Sequence, residues 1–361
     1  MKKHKSQLKV FIDRNPLKGG HAVRGVGAYT RNLLAALKKQ KEIELVEKTE
    51  NCDVVHYPYF DLFFLTLPLI KPKPTVVTVH DVIPLIYPEH YKAGLRGLLK
   101  FQIQKYSLTA ASAIITDSET SKKDIVRFLD VPQEKVHVAH LAAGNEFRKM
   151  EDGGWRVEIR KKYGLPERFI LYVGDVNYNK NIPGLIQAFN HLTIQPSNNS
   201  TNLKLVLVGD VFKNETLPEI KEIFQLIKRL NLEDKIMAPG FVPTEELVYL
   251  YNLATVYCQP SFYEGFGLPV LEAMACGCPV VVAKTQSLVE IAGGAAIFVD
   301  PKDTKDIADG ISKVINYRET RDMLSKSGIE RAKEFSWGKT AKKTIEVYHK
   351  VLRSKLSYIN T

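Results

Sequence analysis

With 361 residues, 45% of them hydrophobic and 25% charged, the chain has room for two ordinary α/β domains with buried cores, which argues against a small single module. Its formal net charge of +11 asks for an acidic partner: nucleic acid, anionic lipid or a phosphorylated small molecule. Residues 1–160 hold 26 Lys and Arg against 18 Asp and Glu, so +8 of the +11 is N-terminal, and with no Arg-rich arm or aromatic platform motif nucleic acid is set aside.

In chain order, the basic N-terminus MKKHKSQLKVFID lacks the apolar core of a signal segment, and no apolar run reaches the roughly 20 residues of a spanning helix. The expected location is cytoplasmic. The first half then alternates β-branched runs with amphipathic stretches: LKVFID, the helix VGAYTRNLLAALKK, DVVHY, PTVVTVH, a helix through YKAGLRGLLKFQIQKYSLTAA, and AIIT. The second half repeats the rhythm with FILYVGD, a helix from about Pro183, KLVLVGD, a helix in LPEIKEIFQLIKRL, KIMAPGFV, TVYCQP, PVVVA and AAIFVD. This βα alternation predicts two doubly wound parallel sheets. Between them FRKMEDGGWRVEIRKKYGLPER has no strand pattern and reads as an interdomain connection, with the boundary near 160. The segment WGKTAKKTIEVYHKVLRSKL reads as one long helix with Ala341, Ile345, Tyr348 and Leu352 on one stripe. The expected division is therefore 1–160, 161–340 and a final helix over 341–361. Cys52, Cys258, Cys276 and Cys278 form no C-x-x-C pair, and buried reduced thiols are expected.

Ligands of open α/β sheets bind beyond the carboxyl ends of strands. After the first strand, Gly25 and Gly27 precede a helix, where backbone amides can approach a phosphate or where the glycines merely loosen a loop. His80 and Asp81 follow VVTV, and the string GDVNYNKN, Gly174 to Asn181, follows FILYV. The most informative stretch is SFYEGFGLPVLEAMACG, residues 261–277, which places Gly265 and Gly267 ahead of a helix with Pro269 in its first turn and Gly277 at its end. Exposed N–H groups at such a helix start suit phosphate or sugar hydroxyls. Glu264 in the loop and Glu272 in the opening turn are placed to reach different parts of one ligand, each accepting hydroxyl hydrogen bonds. The plain alternative is that Glu272 complements the helix dipole and Glu264 is solvated.

The segment PSFYEGFGLPVLEAMACGCPVVVA closely resembles the E-x7-E signature of family-4 retaining glycosyltransferases with the GT-B fold. The likeness runs in order through RGVGAYTRNLLAAL, VVTVHDVIPL, ITDSETSKKDIV, ILYVGDVNYNKNIPGLIQAF, LVLVGD, APGFVPTEELVYLY and SLVEIAGGAAIFVDP. It implies two Rossmann-like domains facing a cleft, an N-terminal one for the acceptor, a C-terminal one for a nucleotide-diphosphate sugar, and a last helix crossing back to the N-terminal domain. By the same resemblance Glu272 holds the ribose, Glu264 and the amides of Phe266, Gly267 and Leu268 hold hexose and diphosphate, and Lys180 neutralises the diphosphate. His80 approaches the transferred sugar, the backbone around Val242 reads the base, and the Gly25 to Gly27 loop closes over the phosphates. One departure stands out: the family commonly pairs the lysine with a nearby arginine, and those places hold Asp175 and Asn179. The helix start at 265–269, with Arg24 or Arg31, is the expected compensation.

The implied function is retaining hexosyl transfer, of mannose or glucose for example, to a glycan or lipid-linked acceptor. No D-x-D occurs, so no metal or other cofactor is expected. A sugar-nucleotide epimerase and a catalytically silent binding module are the alternatives. HYPYFDLFFLTLPLIKPKP, and Lys92, Arg96, Lys100 and Lys105 beside Leu95, Leu98, Leu99 and Ile103, suit either an anionic membrane interface or an ordinary cover of the N-terminal core.

Overall fold

The structure is a computed structural model that describes residues 7–21, 25–194 and 202–359, with side chains described to 353. Residues 1–6 of the basic N-terminus and Arg24 lie outside the described residues. The chain divides into two compact units. The first comprises the residues up to Ala142 together with those from Ser336 onward, and the second runs Ala143–Phe335.

Each unit is built on a six-stranded, wholly parallel sheet. The first unit has β1 (Leu8–Ile12), β2 (Ile43–Val46), β3 (Val54–Tyr57), β4 (Thr75–Thr78), β5 (Ala113–Thr116) and β6 (Val136–Val138), in the order β2-β1-β3-β4-β5-β6. The second has β7 (Arg168–Val173), β8 (Leu203–Val208), β9 (Ile236–Gly240), β10 (Val256–Gln259), β11 (Val280–Ala283) and β12 (Ile297–Val299), in the order β12-β11-β10-β7-β8-β9. Helices cover the faces of a parallel sheet, so its strands are apolar on both sides. Val76-Val77, Ile114-Ile115, Phe169 to Tyr172 and Val280 to Ala283 are accordingly buried without alternation.

Two short strands were not legible. IELV of β2 and VHV of β6 lie at the edges of their sheet, and each is too short to show a period. The supposed connection is not all loop. Trp155–Tyr163 is a helix closed by Gly164 in the left-handed conformation, and its Tyr163 hydroxyl donates to Glu246 at 2.6 Å within the second unit. The division at Ala142 therefore falls earlier in the chain than the expected boundary near 160.

In the first unit the last helix, Trp337–Ile359, buries Ala341, Ile345 and Tyr348. A buried polar chain joins it to the sheet: the Tyr348 hydroxyl meets His56 Nδ1 at 2.7 Å, His56 Nε2 meets Thr78 Oγ1 at 2.8 Å, and Thr78 Oγ1 meets the Tyr29 hydroxyl at 2.9 Å. Burial, with the nearby His80 charge, pushes His56 down to about 3, so this network is neutral and fully paired. The four cysteines are buried and free.

Candidate functional site

In the second sheet the strand order reverses between β7 and β10, and ligands of such sheets bind beyond the carboxyl ends of the strands at that reversal. Lys180 ends the short turn Tyr178–Lys180 that follows β7, and Glu264 lies in the loop that follows β10. The two meet there. Lys180 Nζ is 2.9 Å from both Glu264 oxygens, and Glu264 is buried. Gln259 Nε2 at 2.8 Å and Ser261 Oγ at 2.7 Å also donate to its Oε1, and the Tyr257 hydroxyl donates to Gln259 Oε1 at 2.6 Å. Glu264 is thus neither solvated nor a lone hydroxyl acceptor. It is the centre of a preorganised charge-assisted network that fixes the ammonium of Lys180.

The loop carrying Glu264 is held at several points. Asn179 Nδ2 donates to the Tyr263 carbonyl at 2.9 Å, the Phe262 N–H donates to the Asn179 carbonyl at 2.8 Å, and Ser287 Oγ donates to the Glu264 carbonyl at 2.6 Å. Gly267 turns the chain into the helix Leu268–Ala275 with φ of +100°, a backbone that favours glycine, and a Cβ there would lie 2.5 Å from Leu288 Cδ2 and force that side chain to shift. Gly277 closes the helix with φ of +70° while the Cys278 N–H reaches the Ala273 carbonyl, a Schellman ending. Gly265 and Phe266 are buried, and the Phe266 ring packs on Phe335 at 6.3 Å between centroids.

Glu272 stands beyond the first turn of this helix, not in it, so the dipole account of its charge does not apply. Its Oε2 accepts the Tyr251 hydroxyl at 3.0 Å. Burial pushes its carboxyl up to about 7, the Tyr251 bond partly offsetting and the Glu146 charge adding to the rise. Val242 is buried between β9 and the helix Thr244–Leu253 that supplies Tyr251.

In the first unit His80 follows β4 and Asp117 follows β5, so neighbouring strands deliver both at their carboxyl ends. His80 Nδ1 is 2.7 Å from Asp117 Oδ2, and Tyr29 packs edge-on to the imidazole at 4.7 Å between centroids. Among the described residues Asp117 Oδ1 has no hydrogen-bond partner, and His80 Nε2 has no well-aligned one, only the nearby Pro58 backbone bearing on it. Burial opposes the charged imidazole, but the Asp117 carboxylate, with Asp81 and the Pro58 backbone, outweighs it and holds His80 above its ordinary value. Gly25 and Gly27 do not form a loop before the helix as expected; they are its first turn, in Gly25–Lys38, with Gly27 buried. Arg31 is exposed on the same helix.

Two family profiles match the chain: Glycosyltransferase Family 4 over residues 13–142, and Glycosyl transferases group 1 over residues 156–331. O-antigen chain mannosyltransferase B of Escherichia coli is 32% identical over 274 residues, which cover 76% of this chain and 69% of that one. The chain is a family 4 glycosyltransferase. The serotype-specific mannosyltransferase WbdA of Escherichia coli is 30% identical to the transferase over 78% of its length, which is 34% of the relative. Among solved structures, sucrose-phosphate synthase from Thermosynechococcus elongatus superposes with a TM-score of 0.74 at 20% identity, covering 96% of the transferase and 100% of that chain. HepE from Anabaena, in complex with UDP and glucose, gives 0.71 at 17% identity, covering 94% and 98%. These likenesses show the GT-B fold.

The places of the family arginine in this transferase are structurally occupied. Asn179 holds the Glu264 loop, and Asp175 caps its own turn, its Oδ1 accepting the Val176 N–H at 2.8 Å. Asp117, Tyr251, Gln259 and Ser261 were not singled out in the sequence. The one available signal was Asp117, a carboxylate directly after the apolar strand AIIT, in the same relation to its strand as His80.

Proposed function

We propose that the transferase moves a hexosyl unit, mannose being the sugar favoured by its relatives, from a nucleotide-diphosphate sugar to a glycan or lipid-linked acceptor with retention at the anomeric carbon, and without a metal. The observation that carries this reading is the Lys180–Glu264 pair at the strand reversal of the second sheet. A fixed ammonium at that point, with the N–H groups of Phe266, Gly267 and Leu268 at a helix start, answers the charge that grows on a departing diphosphate. Glu272 takes the ribose hydroxyls and the backbone near Val242 takes the base. In a front-face retaining reaction the departing phosphate oxygen itself accepts the acceptor proton, so the protein is asked for position and electrostatics rather than for a strong base.

The test is transfer from GDP-mannose and other nucleotide sugars in excess EDTA, with the product anomer read by NMR. Undiminished transfer giving the axial anomer from an axial donor is expected. Activity lost in EDTA and restored by Mg²⁺ or Mn²⁺ refutes metal independence, and an inverted product refutes retention.

His80 serves this reaction as the imidazolium, donating from Nε2, with Asp117 as the positioning residue that holds Nδ1–H. The protonated form is lost as pH rises through the raised His80 value, so the rate falls on the alkaline side. Asp117→Asn removes the charge that sustains imidazolium, and the alkaline limb of kcat is expected to move to lower pH, with turnover at neutral pH down about 10- to 100-fold. A pH profile superimposable on that of the parent enzyme removes Asp117 from the mechanism.

A further inference from the structure

The helix Gly94–Thr109 packs Leu108 and Phe101 on the core yet exposes most of its leucines. Its buried residues are Gly97, Gln104, Ser107 and Leu108, while Leu95, Leu98, Leu99 and Tyr106 stand in solvent, Leu95 at 87% exposure. Beside it the loop after β3 exposes Phe64, Leu65, Leu69 and Ile70, the last at 82%. Scattered single apolar residues on a surface need no explanation, but eight of them on two elements that pack together, Phe63 against Phe101 at 6.3 Å between centroids, do.

The loop does not expose these side chains through lack of structure. Asp61 Oδ1 accepts the N–H groups of Phe63 at 2.7 Å and Phe64 at 3.0 Å. Buried Gln104 accepts the Leu67 N–H at 3.3 Å and donates to the Asp61 carbonyl at 3.2 Å and to Thr66 Oγ1 at 2.6 Å. Lys71 Nζ donates to the Pro68 carbonyl at 2.8 Å and to both oxygens of Ser107, at 2.6 and 2.7 Å. Phe60, Leu62, Leu67 and Leu108 anchor the two elements in the core, while Gln104, Ser107 and Lys71 satisfy the loop backbone and leave the other apolar side chains facing out. Satisfying all of these polar groups requires this one loop conformation, so the apolar face is preorganised.

The same segments carry cations. Lys100 lies over the Phe64 ring at 5.1 Å, and Lys92 and Arg96 are exposed at the start of the helix. Of the acidic groups nearby, Asp61 is turned onto its own loop backbone, leaving Glu89 as the exposed one in segments 58–73 and 87–109. Asp130 is also exposed and is paired with Lys105 at 2.5 Å, so the unpaired charge left on these segments is mostly positive, and projecting leucines and aromatics beside Lys and Arg match a bilayer interface carrying negative headgroups.

We infer that this face, made by the loop 60–71 and the helix Gly94–Thr109, docks the protein on the surface of an anionic lipid bilayer. The inference stands apart from the transferase reading, because lipid binding is measured without any sugar donor.

The test is co-sedimentation of the full chain with vesicles of phosphatidylcholine alone and of phosphatidylcholine with phosphatidylglycerol. Binding to the anionic vesicles, weakened by salt and by omission of phosphatidylglycerol, is expected. Replacing Ile70 and Leu95 with Ser should weaken it at least tenfold. Charge reversal in Arg96→Glu and Lys100→Glu should cost fivefold or more per site, about 1 kcal/mol converted. Ile70, Leu95 and Arg96 are exposed and Lys100 is half-buried, and an unchanged melting temperature confirms that each variant is folded. Failure to sediment with anionic vesicles overturns the inference, as does undiminished binding by the apolar variants. So does a dimer in solution that the Ile70 and Leu95 substitutions dissociate, since the face then belongs to a second copy of this chain.

Discussion

Lys180→Ala is expected to lower turnover on the order of 10²- to 10³-fold at saturating donor, the size of effect that follows removal of one preorganised electrostatic donor. On the proposed reaction negative charge grows on the diphosphate as the glycosidic bond breaks, so the ammonium is expected to stabilise the transition state more than the bound donor. The structure adds a second consequence. Lys180 is the cation that faces the buried Glu264 carboxylate, and removing one partner of such a pair leaves the other charge uncompensated. Because Lys180 retains partial solvent exposure, the cost in stability is expected at about 1 to 3 kcal/mol, below that of a fully buried pair. The double substitution Lys180→Ala with Glu264→Gln keeps a neutral amide among Ser261, Gln259 and the loop backbone, and should recover melting temperature without recovering turnover. Steady-state kinetics and thermal unfolding on the same samples separate the two effects. Turnover that returns together with stability makes Lys180 a structural residue only.

Glu272→Ala should raise the dissociation constant of the donor about 10- to 100-fold, with a much smaller change in kcat. Charge-assisted hydrogen bonds to hydroxyls are worth about 1.5 to 3 kcal/mol, and those to a ribose are the same in ground and transition states. Normal donor affinity with collapsed turnover contradicts that role. The same residue links function to stability. Its carboxyl is held at about 7 in the folded chain against 4.5 for the ordinary group, so the folded state keeps the proton more tightly than the unfolded one. Folding is unpenalised below about pH 4.5, and the penalty grows as pH rises towards 7 and is complete above it. Glu272→Gln removes the charge while retaining the acceptor for Tyr251. It should stabilise the ligand-free protein at pH 8 by about 1 to 2 kcal/mol, discounted for partial exposure, and the difference should vanish near pH 4.5. A melting-temperature difference independent of pH argues against this source of the penalty.

The sequence alone determined the two-sheet α/β architecture, the positions of most strands along the chain and the identity of the E-x7-E segment. Parallel strands buried on both faces write themselves as apolar runs, and the helix start at 268 is announced by glycines and a proline whose backbone preferences are local. The edge strands β2 and β6, and the helix Trp155–Tyr163 with its highly polar sequence, escaped because their signals are short or weakly apolar and packing decides them. Tertiary structure alone decided the partners. Glu264 and Lys180 are 84 residues apart, and His80 and Asp117 are 37 apart. Each pair meets because strands distant or adjacent in sequence end side by side at the carboxyl edge of a sheet, a relation set by strand order. The helix Gly94–Thr109 makes the same point from the other side. Its leucines, read as sequence, fit a core-facing helix as well as an interface, and only the buried hydrogen bonds of Gln104, Ser107 and Lys71 determine which face turns inward. Periodicity records that a face is apolar; where that face points depends on which polar groups the rest of the fold can satisfy.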